Sequence, residues 1–522
     1  MPLLASWRPG WGAALTAILA GGLLALAFPP LNWWPLCLLG VAPFIMLARR
    51  LSPRRALIAG WLGGMALFAG LMYWILVVMT QYGGLNWALA GVALFFFAFY
   101  LGCYLGIFCC VVSFLNREGI RPLLAAPLVW AGLEWVRSWA VTGVPWLPLA
   151  MGLDGSLPLM QSAELWSTNG LSLLVVLVNA LLAEAVLFPR SAAPLWRRGA
   201  ALAAALVLLA GGWWWGQARL TQVRAASQAA PTLAVSVVQG DVSLPMLWRR
   251  ELRPVVIERH VKATQRAAAT EKRRPWLVVW PESAAPFFFM RDARPSLPVL
   301  ELAKHLDAYI MLGSLGAVEV DGKYKVSNRA WLVKPTGDAA EFYDKVHLVP
   351  FGEYVPWSQI LFFVRAVAQI GDDFAVGQPG KVLNMGPVAL GPLICYESIF
   401  PELARDMRLA GARLLVNQTN DAWFGRTSAP YEHMAHLRFR AVENRLACAR
   451  AANTGVSGFV LPSGEIIKAT GLFTPAVASA DLPLMNEDTF YLRHGEIVGP
   501  GALGVTVLLI FWALWRERKR EV

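Results

Sequence analysis

Charged residues are few for a chain of 522: Asp, Glu, Lys and Arg make up 15% of it, against 57% hydrophobic residues. With a mean hydropathy of +0.49, that scarcity excludes an ordinary soluble protein and points to one that lives in a membrane. Cysteine is scarce too. Cys37, Cys103, Cys109 and Cys110 fall inside apolar runs, and only Cys395 and Cys448 lie elsewhere, so no disulfide framework is expected. The sequence has no glycine-rich phosphate loop, no internal repeat and no low-complexity tract. Its net charge of +12 would suit nucleic acid, but the basic residues are scattered or gathered beside apolar runs rather than interleaved with stacking aromatics. No nucleic-acid partner is expected.

What the chain has instead is apolar length. Seven segments come first: Gly12 to Phe28, Trp34 to Leu47, Ala56 to Thr80, Trp87 to Leu115, Leu123 to Trp139, Gly170 to Phe188 and Gly199 to Trp215. An eighth, Gly499 to Trp515, closes the chain. Several reach the roughly 20 residues that cross a bilayer, and the 24 tryptophans suit membrane interfaces. The first segment is expected to be a retained anchor rather than a signal peptide, since further spans follow at once. Alternate connections carry arginine, as at Arg49, Arg50, Arg54 and Arg55, while those between, such as Pro29 to Trp33, carry no charge. By the positive-inside rule both termini are cytoplasmic and the long stretch between spans seven and eight lies outside. The expected division is a seven-helix transmembrane domain over 1–216, a periplasmic domain over 217–498, and a last helix with a basic cytoplasmic tail over 499–522.

In the outer stretch the pattern changes to short β-rich runs, such as Thr232 to Val238, Trp276 to Trp280 and Val388 to Ile394, separated by helical stretches. Alternating strands and helices predict a layered α/β domain. Cys395, in Ile-Cys-Tyr-Glu-Ser, falls where a strand ends and a helix beginning at Pro401 follows. The helix N-terminus is expected to lower the thiol pKa, although a lone cysteine in an apolar strand is more often a packing residue. A cysteine nucleophile needs a base and an oxyanion donor. Glu282, in Trp-Pro-Glu-Ser just after an apolar strand, can be the base if burial raises its pKa. Lys345, in Asp-Lys-Val-His-Leu-Val-Pro-Phe-Gly-Glu, can supply the ammonium, although a solvated surface lysine is the commoner case.

Taken in that order, the three stretches resemble the Glu-Lys-Cys triad of the nitrilase, or carbon-nitrogen hydrolase, superfamily. Asn417 to Gly425 and Arg440 to Arg445 resemble further parts of that fold. With seven spans before the domain and one after, the whole chain is similar to the apolipoprotein N-acyltransferase family of bacteria. The resemblance implies an α-helical bundle of about eight transmembrane helices joined to an αββα sandwich, in the inner membrane with the catalytic domain on the periplasmic side. It also implies Glu282 as base, Lys345 as oxyanion donor and Cys395 as nucleophile. Glu353, Tyr396 and Glu397 become supporting residues and Trp248 an entrance residue; no cofactor and no metal is called for. The implied donor is a phospholipid, expected to be phosphatidylethanolamine, and the implied acceptor is a diacylglyceryl-modified apolipoprotein.

Three apolar runs point separately to a lipid substrate: Leu244 to Trp248, Phe287 to Met290, and Ile360 to Val364 with Phe362 and Phe363. They are expected to form a greasy groove, with core packing as the alternative. Glu134 and Arg137, three apart on span five, share a helix face and, with Trp146 and Glu164, are candidates for a phospholipid headgroup. A helix-end ion pair is the alternative. His433 and His436 have a spacing that could bind metal, but no third ligand accompanies them. Two other functions remain open: a membrane-tethered amidase that passes its acyl group to water, and a transporter with a regulatory outer domain.

Overall fold

The computed structural model describes residues 10–187, 194–273, 276–339, 341–359 and 373–521. The chain forms two compact units. One holds Leu85–Leu220 with the chain up to Thr80 and from His494 onward; the other holds Gln81–Gly84 and Thr221–Arg493.

The first unit is helical. Among the described residues, four helices are long and apolar enough to cross a membrane: Trp87–Arg117, Ala163–Val186, Leu195–Ala229 and Val498–Arg520. Pro53–Leu71 and Ile75–Gln81, bent by 56° at the break between them, would make a fifth if counted as one span. Trp11–Ala25 is apolar but shorter. The expected single span from Trp34 to Leu47 is instead a 3-10 turn, Trp34–Leu38, followed by the helix Ala42–Arg50. Asn179 explains the break. Its buried side-chain oxygen accepts from Val41 N and Ala42 N at 2.9 and 3.0 Å, and its amide donates to Cys37 O at 2.9 Å. The backbone groups freed by the interruption are thereby satisfied without water.

Small residues set how closely these helices approach. A Cβ on Gly64 would fall 2.8 Å from Gly102 Cα, and one on Gly60 would fall 2.5 Å from Leu105 O. Pro53–Leu71 and Trp87–Arg117 therefore pack backbone to backbone, which apolar side chains of ordinary size would prevent.

The second unit contains two sheets. In one, β1 (Thr232–Gln239), β2 (Trp276–Val279) and β4 (Tyr309–Val320) run parallel. β13 (Ala476–Pro483) pairs antiparallel to β1, β5 (Lys323–Val333) and β6 (Glu341–Asp344) continue antiparallel beyond β4, and β3 (Ala285–Phe288) pairs with β4. In the other, β8 (Val388–Ile394), β9 (Leu414–Thr419) and β10 (Ala447–Ala452) run parallel, flanked by antiparallel β7 (Leu383–Met385), β11 (Gly458–Val460) and β12 (Ile466–Ile467). β1 and β2 lie against β10, and β5 against β8, so the sheets are stacked. Helices Arg253–Thr270 and Ala293–Leu306 cover the first sheet; Pro401–Leu409 and Ala429–Asn444 cover the second. This is the expected αββα sandwich. Because each sheet is covered on both faces, β2, β9 and β10 are buried at every residue; β2 is apolar throughout, while β9 and β10 also bury Asn417, Gln418 and Arg450.

The apolar run at Phe287 is core, not groove. Phe287 and Phe289 are 0% and 2% exposed in the cluster built on Trp276, Trp280 and Ile310, and Met290 turns outward. Leu244 and Leu247 are likewise buried, against Val242, Val256 and Ala422, while Trp248 is 55% exposed. A strand or short helix packed on a sheet must bury one face, and these runs do so. Phe362 and Phe363 lie outside the described residues.

Candidate active site

The parallel strands bring the chemistry together. Glu282 lies just past β2 in one sheet, Cys395 immediately past β8 in the other, and Asn420 and Asp421 just past β9. The carboxyl ends of parallel strands are where open α/β sheets form their crevices. β4 passes directly beneath Glu282 at Gly313, where a Cβ would fall 2.7 Å from Glu282 Cα.

Glu282 is held at both oxygens: Asn328 Nδ2 donates to Oε1 at 2.6 Å and Asn420 N to Oε2 at 2.8 Å. Lys345, 1% exposed, stands between two carboxylates, 2.9 Å from Glu353 and 3.9 Å from Glu282. Glu353 also accepts from Asn328 Nδ2 at 3.0 Å and from Val349 N at 2.8 Å. Burial alone would pull Lys345 toward neutrality, but Glu353 and Glu282 reverse this and hold its pKa well above the ordinary value. The ammonium is therefore permanent. Burial raises the Glu282 carboxyl and Glu353 adds to the rise, while Lys345, Asn328 and Asn420 oppose it; the balance lies above the usual carboxylate range.

Cys395 departs from expectation. Burial and the Glu282 carboxylate push its thiol well up, and Lys345 offsets only part of this. A 3-10 turn, Cys395–Ile399, precedes the helix Pro401–Leu409, so the cysteine is separated from the helix N-terminus that was expected to activate it. The resting group is a thiol, and reaction requires a base within reach.

Glu397 is a clamp. One oxygen accepts from Tyr343 Oη at 2.8 Å, Val346 N at 2.6 Å and His347 N at 3.2 Å, and the other from Ile394 N at 2.6 Å. It thus ties the chain on either side of Lys345 to the residue before Cys395, although burial pushes its own pKa up to about 7 against those donors. Tyr396 is half-buried between the His347 and Phe400 rings. Trp248 is exposed, and among the described residues it makes no hydrogen bond to the catalytic group.

Glu134, Arg137 and Trp146 also come together, in the helical unit, but on one another rather than on a free surface. Glu134 accepts from Leu149 N at 2.8 Å, Arg137 donates to Trp146 O at 2.9 Å, and Trp146 packs on Trp74. Glu164 makes a two-pronged pair with Arg219 at 2.7 and 3.0 Å. All four have partners within the protein, although Glu134 Oε2 is buried without a hydrogen bond among the described residues.

Several participants were missed. Asn328, mid-strand in β5, gives no sequence signal at all. His433, read only for its metal-like spacing, instead faces the Cys395 carbonyl. Among the described residues no group of three His, Cys, Asp or Glu side chains is arranged to hold a metal ion. Tyr82, from a short connection between apolar segments, donates at 2.9 Å to the carbonyl of Ala422, one residue beyond Asp421, and meets Trp423 edge-on.

Two family models match this chain: apolipoprotein N-acyltransferase N-terminal domain over residues 20–181 and carbon-nitrogen hydrolase over residues 224–488. Apolipoprotein N-acyltransferase of Geobacter metallireducens is 38% identical over 487 residues, covering 92% of each chain. That of Azotobacter vinelandii is 34% identical over 520 residues, covering 98% of this chain and 96% of its own. Among solved structures, an amidase from Nesterenkonia aligns with 50% of this chain and 92% of its own at 22% identity and a TM-score of 0.36. Both family models and relatives matched from end to end lead to one assignment: the chain belongs to the apolipoprotein N-acyltransferase family.

Proposed function

We propose that this protein takes an acyl chain from a phospholipid onto Cys395 and passes it to the N-terminal amine of a diacylglyceryl-modified apolipoprotein. The observation that carries this is a buried carboxyl and a buried ammonium, 3.9 Å apart, both acting electrostatically on one partly buried thiol. Glu282, with its raised pKa, takes the thiol proton as Sγ attacks the ester carbonyl. Lys345 meets the oxyanion, which collapses with loss of the glycerol oxygen; that oxygen takes the proton from Glu282 and leaves as a lysophospholipid. In the second half the acceptor amine attacks the thioester carbonyl. The C–S bond breaks, and Glu282 carries the amine proton to the departing sulfur. Glu353 fixes the Lys345 ammonium, and Glu397 fixes the turn carrying Cys395. Because the thiol is not ionised at rest, it reacts only when a carbonyl arrives beside the base.

The same reading holds that about eight segments span the inner membrane, that 217–498 forms the periplasmic catalytic domain, and that the donor is phosphatidylethanolamine. The alternation of arginine-rich and uncharged connections supports the orientation. A membrane-impermeant thiol reagent applied to intact spheroplasts is expected to label a cysteine placed at Lys325 but not one at Ser52. The reverse result would overturn the orientation.

Intact mass spectrometry tests the chemistry. Protein given phosphatidylethanolamine alone is expected to gain one acyl chain, which neutral hydroxylamine removes and which Cys395→Ser never acquires. A peptide with a free, diacylglyceryl-modified N-terminal cysteine is expected to discharge the adduct onto its amine. Discharge to water at the same rate with or without the peptide would make the protein an amidase.

A further inference from the structure

Cys395 has φ +51°, in the left-handed region that side-chain-bearing residues rarely occupy. Such a conformation is strained and persists only where its surroundings hold it. Here the hold is on the carbonyl. His433 Nε2 lies 3.0 Å from Cys395 O, and Ser398 Oγ donates to the same oxygen at 3.1 Å. A carbonyl can only accept, so the bond from His433 to it needs the hydrogen on Nε2, a nitrogen that also lies 2.9 Å from Ser398 Oγ. Because the peptide is planar, fixing this oxygen fixes the whole Cys395–Tyr396 unit, and with it the direction in which the Cys395 side chain leaves the turn.

The imidazole is itself held from behind. With the hydrogen on Nε2, Nδ1 accepts from Arg450 Nη2 at 3.1 Å, and Asp421 Oδ1, 3.1 Å from the same nitrogen, acts by holding that guanidinium. Arg450 donates to Asp421 Oδ2 at 2.7 Å, and Thr419 Oγ1 donates to Asp421 Oδ1 at 2.9 Å. Burial would raise the Asp421 carboxyl, but Arg450, His433 and Thr419 bring it down to about 2, so it is a carboxylate throughout the physiological range. His433 is 1% exposed, and Asp421 and Arg450 are fully buried. A Cβ on Gly455 would fall 2.2 Å from Asp421 Oδ2, so backbone packs directly on the carboxylate and leaves it no room to swing.

We propose that His433, braced by Asp421 and Arg450, is a positioning residue that holds the nucleophile turn so that the Cys395 thiol faces Glu282 and Lys345. The inference rests on the reading of Cys395 as nucleophile. His433 touches neither the thiol nor the acyl group in this role; it acts through the Cys395 carbonyl. A displacement of about 1 Å at a reacting atom can cost a hundredfold in rate, and a freed turn with positive φ is the place where such a displacement would arise.

The test uses full-length protein in detergent with phosphatidylethanolamine as donor, following acyl-enzyme formation by intact mass. His433→Leu removes the donor, while His433→Gln keeps an N–H close to the position of Nε2. His433→Leu is expected to slow acylation roughly ten- to a hundredfold with KM for the lipid changed less than about twofold, and His433→Gln to restore the rate to within about threefold of wild type. Asp421→Asn keeps the shape but weakens the brace, and is expected to fall between them; it decides the matter if His433→Leu does not fold. Acylation at the wild-type rate in His433→Leu, equal slowing in Leu and Gln variants, or a wild-type rate in Asp421→Asn overturns the inference. Cys395→Ala separates the two readings. If that variant still acquires an acyl chain, the nucleophile assignment has failed; if it does not while the His433 variants behave as wild type, only the positioning role falls.

Discussion

Two groups of buried charge, one in each unit, are put to different uses. Glu134 and Arg137 are three apart on one helix, yet their own charged atoms are 4.0 Å apart, and their shorter contacts go to loop backbone at Leu149 and Trp146. Lys345, Glu353 and Glu282 come from distant parts of the chain and meet each other, with a thiol beside them. Glu134 and Arg137 satisfy backbone groups in the helical interior, as the neutral Asn179 amide does at the broken helix. In the sandwich it sets proton affinities: a carboxyl raised, an ammonium fixed, a thiol kept protonated. Burial of charge therefore does not by itself mark a catalytic site. Between these two groups the partners differ: backbone at Glu134 and Arg137, other titratable groups and a thiol around Lys345.

The contrast is broken most severely at Lys345. Lys345→Met is expected to slow thioester formation by about a hundredfold or more, because one oxyanion donor typically contributes that much. It also leaves Glu282 and Glu353 facing one another without a counter-charge, which should lower the melting temperature of the protein. A Lys345→Met variant acylating at the wild-type rate would move the oxyanion role elsewhere.

The helical unit is expected to respond oppositely. Asn179→Leu removes the side-chain partner of Val41 N and Cys37 O, and leaves Ala42 N only its bond to Leu39 O, at a cost of roughly 1–3 kcal/mol per buried group left unpaired. Thermal unfolding should show that loss, while the acylation rate per folded molecule stays within about threefold of wild type. A large rate loss with unchanged stability would mean that the broken helix serves the chemistry directly.

Acid sharpens the comparison further. Asp421 has a folded pKa lowered from 3.8 to about 2, so its contribution to stability is fully present above 3.8 and is lost as pH falls toward 2. Melting temperature should drop across that window, and Asp421→Asn, less stable at neutral pH, should lose less over it. The smallest effect is expected at the surface. Arg224 and Glu465 approach to 2.6 Å but are partly exposed, and Arg224→Ala should change stability by no more than about 1 kcal/mol.

Much of this site was legible in the sequence because its members sit in distinctive local blocks: Glu282 after a Trp-Pro strand end, Lys345 inside a long specific stretch, Cys395 between strand and helix. What those blocks could not show was environment. The thiol pKa was expected to fall with the helix dipole and rises instead, because burial and Glu282 outweigh it. Phe287 and Phe289 read as greasy surface and are core, since an apolar run looks the same in either place. The broken span at Trp34 was hidden because Asn179, which permits it, lies far along the chain.

The sequence by itself determined the kinds of element and singled out the groups proposed to react, because apolar length, strand patterning and motif chemistry are local properties. Only the tertiary structure decided which charges meet. Asn328 on Glu282, Glu397 across to Val346, Tyr82 on Ala422 and His433 on the Cys395 carbonyl are contacts between segments distant in sequence. Proton affinity and nucleophile geometry depend on distances of a few ångströms in a medium without water, and those distances exist only once the two sheets have stacked.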